Sequence, residues 1–483
     1  MNKSIRNLEP TRLWNNFADL NAVPRASKKE EQVIEFIKKF GNNLGLETFE
    51  DEVRNVIIRK PATLGMENRK GIVLQSHLDM VHQKNNDTVF DFATQGIEMY
   101  VDGDWVKASG TTLGADNGLG VATIMAILES KDIAHPAIDA LFTIDEETGM
   151  TGAMGLKGGL LKGEILLNLD TEEDNEIGVG CAGGVDVTAS KNYSPQSAPK
   201  NAIGYKITVK GLQGGHSGME IHLGLANANK IMNRILIATN QYCSVSSILG
   251  GSLRNAIPRE SNAQIVVVNE SKFMTAFEKI KADLLDEYRP IESEMIVSIE
   301  KLQKVPETII SFECQHTFLK AVAGAHNGVF RMSPAINDLV ETSNNVAKII
   351  LDKGLIKIDC LTRSSVESSK ENMVSSLRSV FELAGFEVNL SGDYPGWAPN
   401  MDSAILKVLD SLYEKINGEK AHVAACHAGL ECGILGTNYP KMDMISFGPT
   451  IKGAHSPDER ASIPSTQKFW SFLKAILKEI PLK

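Results

Sequence analysis

Four short apolar runs of this chain each end on residues able to hold a proton or a cation. That recurrence constrains the fold more than any other feature. Gly71–Ser76 (GIVLQS) leads into His77-Leu78-Asp79, and Ile138–Ile144 (IDALFTI) leads into Asp145-Glu146-Glu147. Glu164–Leu169 (EILLNL) leads into Asp170, and Met442–Phe447 (MDMISF) leads into a loop that carries His455. A fifth group, Asp116, stands in the turn GTTLGADNG just ahead of the apolar helix pattern Gly118–Glu129. Short apolar strands alternating with helices predict an α/β sheet that is mostly parallel and covered by helices. Open sheets of this kind collect their functional groups at the carboxyl ends of the strands.

Taken singly, each of these pieces has a plainer explanation. A His two residues from an Asp is ordinarily a surface pair, a run of acids is a solvated turn, and an Asp beside glycines forms turns. Together at four strand ends they would repel one another unless cations neutralised them. Three carboxylates and two imidazoles suit two divalent ions, with one central Asp shared and one His and one carboxylate left for each.

Two Pro- and Gly-rich stretches, Lys191–Ala202 and Gly392–Asn400, read as linkers. They enclose enough chain for a domain of its own. The expected organisation is a discontinuous catalytic domain, residues 1–190 and 400–483, with an α+β domain inserted at 191–399. Within the first domain the pattern predicts helices at Glu30–Phe40 and Asp402–Ile416. Within the insert it predicts strands at Ala202–Lys210, Ala263–Val268 and Ile356–Leu361, with helices at Leu223–Thr239 and Ser368–Ala384.

Composition removes several function classes. Fifty basic against 60 acidic residues leave a net charge of −10, the wrong sign for a nucleic-acid partner. No stretch reaches the roughly 18 consecutive apolar residues of a membrane span, and the N-terminus lacks the apolar core of a signal peptide. Six cysteines lie scattered without a pairing framework, which predicts reduced thiols and a cytoplasmic location.

A second histidine signal lies in the insert, at Gly214-Gly-His216-Ser-Gly218, where the glycines permit close approach to a ligand. His82, His135, His222, His316, His326 and His422 have no partnered spacing and read as structural. Cys426-His427 admits a thiol-hydrolase alternative. Gly155–Gly163 (GLKGGLLKG) lacks the GK[ST] of a phosphate loop and reads as a turn.

The motifs SHLDMV, GTTLGADNGLG, TIDEETGMTGA, NLDTEE and GAHSPDE together resemble the co-catalytic zinc peptidase family. GCAGGVD, GGHSGMEIH, RNAIP and HAGLECG are similar to its aminoacyl-histidine (Xaa-His) dipeptidase branch, and the resemblance runs through essentially the whole chain. It implies two divalent ions, most simply zinc, with manganese or cobalt as alternatives. His77 and Asp170 would hold one ion, Glu147 and His455 the other, and Asp116 both. It further implies that Asp79 orients His77 and that Glu146 is the general base for a metal-bridged hydroxide. A cis peptide bond is expected after Asp116. His216 on the inserted lid would donate to the oxyanion, Arg363 and Asn255 would take the substrate's carboxylate end, and Glu431 its amino group. The implied reaction is hydrolysis of Xaa-His dipeptides and of β-alanyl-histidine, by a homodimer joined through the lid. The alternatives are a tripeptidase or N-acyl amino acid deacylase on the same scaffold, and a non-catalytic binding protein.

Overall fold

The strand Ile72–His77 is buried along its entire length, polar end included, so it must lie between neighbours on both sides and under helices. In the computed structural model, which describes residues 2–483, it is the fourth strand of an eight-stranded sheet. The order is Glu47–Glu50, Val56–Lys60, Ile138–Thr143, Ile72–His77, Ile165–Asn168, Asp443–Ser446, Glu176–Cys181 and His422–Cys426. The four strands from Ile138–Thr143 to Asp443–Ser446 run parallel. The strands flanking them are antiparallel. The fold is α/β, parallel at the centre of the sheet and antiparallel towards its edges. A small four-stranded sheet, Ile451–Lys452, Arg460–Ser462, Trp105–Ala108 and Met99–Asp102, holds the loop that carries His455.

The helix Ala115–Glu129 packs on Ile72–His77 and against the helix Thr11–Leu20. Nearly all of its side chains are buried, as expected of a helix apolar all round. It begins earlier than the Gly118 its pattern predicted, although Asp116 and Asn117 depart from helical angles. The Asp116–Asn117 peptide is cis.

The parallel strands carry polar residues at their carboxyl ends, and these bond to one another in a ladder across the sheet. Thr143 Oγ1 and Gln75 Nε2 each donate to Glu431 Oε2 at 2.6 Å. Asn168 Nδ2 donates to Gln75 Oε1 at 2.5 Å, and the Ser446 hydroxyl donates to Asn168 Oδ1 at 2.5 Å. Thr143, Gln75, Asn168 and Ser446 come from four different strands, and each finds a partner in the ladder; a buried polar group left without one would cost about 1–3 kcal/mol.

Contacts divide the chain into two units, residues 2–180 with 397–425 and 430–483, and residues 181–396 with 426–429. The first division falls at 180/181 rather than at the expected 190/191. The cause is that Gly183–Asn192 is a strand of the second unit's sheet, paired to both Leu355–Ser364 and Glu387–Tyr394. The short return at 426–429 had no signature in composition.

The second unit is a nine-stranded antiparallel sheet with the helices Ala228–Thr239, Glu270–Tyr288, Phe312–Gly324 and Glu367–Leu383, their apolar sides in one core. The helix expected from Leu223 starts only at Ala228. Gly224 sits at φ 72°, and the Asn227 side chain caps the helix by accepting from the Asn229 and Lys230 N–H groups. No helix among the described residues is long and apolar enough to cross a membrane, and all six cysteines are outside disulfides.

Candidate metal centre

Where the strand Ile72–His77 ends, its last side chain faces three acids. His77 Nδ1 lies 3.3 Å from Asp79 Oδ1. Its Nε2 lies 3.2 Å from Asp116 Oδ1 and 3.6 Å from Asp170 Oδ1. On the far side of Asp116, His455 Nε2 is 3.2 Å from Oδ2 and 3.0 Å from Glu147 Oε2. Asp116 therefore turns one oxygen to each of two imidazoles. Asp79, fully buried, accepts the Glu146 N–H at 3.0 Å and the Glu147 N–H at 3.3 Å. One carboxylate thus sets both the His77 ring and the turn that follows Ile138–Thr143.

The turn before Asp116 is held by residues that the sequence did not announce. Glu459, buried, accepts the backbone N–H groups of Leu113 (2.7 Å), Gly114 (2.9 Å), Ala115 (2.7 Å) and Asp116 (3.3 Å). Arg25, also buried, donates to the carbonyls of Leu78 (3.1 Å) and Asp79 (3.0 Å) and to that of Gly114. A single guanidinium thereby ties the His77–Asp79 loop to the Asp116 turn. Gly114 has φ 69°, and a Cβ there would come within 2.5 Å of Arg25 Nη2, so glycine is required twice over. Glu459 had one signal, its place four residues after His455 in GAHSPDE; Arg25 had none.

These residues form two donor sets, His77–Asp116–Asp170 and Asp116–Glu147–His455, each with ligand atoms within 4.8 Å of one another. His77, Glu146 and Glu147 make a third such set. Neighbouring ligand atoms on a tetrahedral zinc ion, bonded at about 2.0–2.2 Å, stand about 3.4 Å apart. The 3.0–3.6 Å spacings here match that shell. Glu147 Oε1 is buried without a hydrogen-bond partner, an oxygen open to a cation.

The electrostatics also call for positive charge. Hydrogen bonds to Asp116 and Glu147 push His455 up to about 11. Burial acts to lower His77, but Asp116, Asp170 and Asp79 outweigh it and hold this imidazole well above its usual range. Burial, with neighbouring acids, raises Asp170 and Glu146 well above the ordinary carboxylate range. Glu172, a further acid beside Asp116, is pushed up to about 8 by burial first and Asp116 second. A set in which imidazoles take protons and spare carboxylates keep theirs is one that divalent cations would neutralise.

Glu431 starts the helix Glu431–Asn438 in the same unit, with Oε2 in the strand-end ladder and Oε1 unpartnered. Burial lifts it to about 7.

The remaining expected residues lie in the second unit. His216 pairs with Ala256 in a two-residue ladder, and Ser217 N–H donates to the Asn255 carbonyl at 2.8 Å. His216 Nδ1 accepts the N–H groups of Gly218 (3.2 Å) and Met219 (3.0 Å), which leaves the ring proton on Nε2. Asn255 is exposed, and its main chain is gripped on both sides by Asn345 Nδ2, which donates to the carbonyls of Arg254 (3.1 Å) and Ala256 (2.8 Å). Arg363 is buried and donates to the Tyr394 hydroxyl at 2.9 Å. Cys426 Sγ lies 3.5 Å from Met219 Sδ, while the neighbouring His427 bonds to Ser343. The Cys–His pair of the thiol alternative is therefore turned to separate partners.

Residues 73–479 match peptidase family M20/M25/M40. A cytosol non-specific dipeptidase of Escherichia coli (strain K12) is 42% identical over 487 residues, 99% of each chain. The structure of aminoacylhistidine dipeptidase from Vibrio alginolyticus is 44% identical and superposes with a TM-score of 0.92, covering 99% of this chain and 98% of that one. A tripeptidase from Staphylococcus aureus, at 17% identity and a TM-score of 0.57 over 98% of this chain and 99% of its own, shares the fold. The protein is thus a hydrolase acting on peptide bonds. It belongs to peptidase family M20/M25/M40.

Proposed function

We propose that the protein is a two-metal dipeptidase that prefers Xaa-His and also cleaves β-alanyl-histidine. The observation that carries this reading is Asp116, whose two oxygens face two imidazoles, each backed by a further carboxylate. Asp116 would be shared, with His77 and Asp170 on one side and Glu147 and His455 on the other. Divalent ions in these sets, zinc for preference, polarise a carbonyl and make water acidic enough to ionise near pH 7.

The chain's own groups do the rest. Asp79 fixes the His77 ring, so that Nε2 points at the shared carboxylate. Glu146, the carboxylate beside the donor sets, takes a proton from the attacking water and returns it to the leaving amine. His216 presents a neutral Nε2–H, the form suited to an oxyanion, because burial first and Arg363 second bring it down to about 4. Arg363 and Asn255 receive the carboxylate end of the substrate, and Glu431 Oε1 its amino group. The second unit is proposed as a lid that joins two copies in a homodimer. A cytosolic location accords with the name of the Escherichia coli relative, a cytosol non-specific dipeptidase.

The names of the two close relatives differ in breadth, one non-specific and one aminoacylhistidine, so the substrate panel is the deciding test. Ala-His, β-Ala-His, Ala-Leu, Ala-Ala-Ala and N-acetyl-Ala are assayed before and after chelation, with metal content measured on the same sample. Faster cleavage of the two histidine dipeptides, lost on chelation and restored by zinc or manganese, is expected. A preference for the tripeptide or the acyl amino acid would overturn the dipeptidase reading, and activity that survives chelation would overturn the metal. Glu146→Gln is expected to lower kcat by about 10³-fold with two metals still bound; full turnover would remove Glu146 as the base.

A further inference from the structure

The turn after Ile138–Thr143 hands three consecutive backbone N–H groups to two buried carboxylates. Those of Glu146 and Glu147 go to Asp79, and that of Asp145 goes to Glu30 Oε1 at 3.2 Å. The same Glu30 oxygen accepts the Lys28 N–H at 2.8 Å. Asp145 and Lys28 are both left-handed, at φ 53° and 65°. Residues other than glycine keep that conformation only where their surroundings impose it. One oxygen of one buried carboxylate thus fastens two strained residues from distant parts of the chain.

Glu30 is itself delivered by a segment pinned along the loop that follows His77, and all of these residues belong to the first unit. Ala26 forms a parallel bridge with Met80, and the Met80 N–H donates to the Arg25 carbonyl at 3.1 Å. The Ser27 N–H and hydroxyl both donate to the Met80 carbonyl, at 3.3 and 3.2 Å. Asp145, for its part, is held at every remaining polar group. Its carbonyl accepts the N–H groups of Gly149 (3.2 Å) and Met150 (2.6 Å), and its carboxylate accepts the hydroxyls of Thr148 and Thr151, with Lys28 Nζ 3.9 Å away. Glu30, Asp79 and Asp145 bring carboxylate oxygens within 4.8 Å of one another. The N–H and hydroxyl donors named here offset the mutual repulsion of the three.

We propose that Glu30 is a positioning residue for the general base. By holding the Asp145 N–H it fixes the left-handed turn that lays the Glu146 and Glu147 N–H groups on Asp79, and so sets where the Glu146 carboxylate stands. This rests on the dipeptidase reading above, with Glu146 as the base, and adds to it the residue that aims that base. Glu30 belongs to none of the donor sets built on His77, Asp116 and His455, so its effect is one of geometry. A displacement of about 1 Å at a reacting group is worth about 10²-fold in rate.

The test compares Glu30→Met, which keeps the bulk and loses the acceptor, with Glu30→Gln, which keeps a carbonyl oxygen at the same reach. Ile34→Ala, a change of buried core in the helix Glu31–Asn43, is the control for lost stability. Turnover of Ala-Leu is measured at saturating zinc, together with metal content, unfolding temperature and amide hydrogen exchange over residues 144–150. Glu30→Met is expected to lower kcat about 10- to 100-fold, with KM within about threefold and two metals bound. Exchange of the Asp145, Glu146 and Glu147 amides should rise about tenfold in the same variant. Glu30→Gln should stay within about threefold of the wild type in kcat and in exchange. Ile34→Ala should lower the unfolding temperature with neither effect. Glu30→Ala carries the expectations of Glu30→Met should the Met side chain prevent folding. An unchanged kcat in Glu30→Met, an equal loss in Glu30→Gln, or the same loss in Ile34→Ala would each overturn the proposal. If the wild type cleaves no dipeptide at all, it is the dipeptidase reading that falls, and hydrogen exchange decides the hold on the turn. Faster exchange in Glu30→Met with Glu30→Gln protected upholds that hold, and unchanged exchange overturns it.

Discussion

Asp116→Ala is expected to lower turnover by about four orders of magnitude and to leave the purified protein with less than one tightly held metal per chain. The reason is its shared position. Removing Asp170 takes the second carboxylate from beside His77 and removing Glu147 takes it from beside His455, whereas Asp116 is the oxygen partner of His77 on one side and of His455 on the other. Its loss also removes the charge that holds both imidazoles in place, so neither half should survive on the remaining ligands. Metal content by mass spectrometry and kcat on Ala-His are the two readings. Two metals retained with normal turnover would mean that the centre lies elsewhere.

Glu459→Ala is expected to cost about 3–5 kcal/mol of stability, because four backbone N–H groups lose their acceptor in a buried place at about 1–3 kcal/mol each, partly recovered by water. The damage is aimed, since those donors belong to the turn that delivers Asp116. Metal affinity should fall about 10- to 100-fold as well, as it does when a group supporting a ligand is removed. Glu459→Gln keeps one carbonyl oxygen and should fall between. Chemical unfolding followed together with metal titration separates the two effects. A variant as stable as the wild type would show that the turn holds itself.

Much of this candidate centre was legible in the sequence because most of its candidate ligands follow strand ends, and strands of alternating α/β chains announce themselves as short apolar runs. His77, Asp170 and the acids after Ile144 followed from that pattern, and Asp116 from its glycine-rich turn. The supports were not legible. Arg25 precedes the first strand of the pattern and acts by gripping carbonyls, a task that any buried cation at the right point in space could perform. Asn345 likewise reads in sequence as one polar residue within a strand. The boundary at 180/181 was missed because strand pairing, which composition does not record, recruits Gly183–Asn192 to the second unit. Helix starts drifted for a similar reason: Asn227 ends a loop by capping, and caps are decided by a few local hydrogen bonds rather than by periodicity.

The ladder of Thr143, Gln75, Asn168 and Ser446 beneath the centre has a consequence for how such a protein can change over generations. Each rung is donor or acceptor to the next, so drift at one strand end strands its neighbour unless the neighbour changes too. These positions should vary as matched sets across descendants, or stay fixed. Arg363 and Asn255 belong to a different unit and share no rung with that ladder. On the reading proposed above, change confined to that unit would alter how the carboxylate end of a substrate is received, while the strand-end set, with Glu431 bonded to it, stays locked.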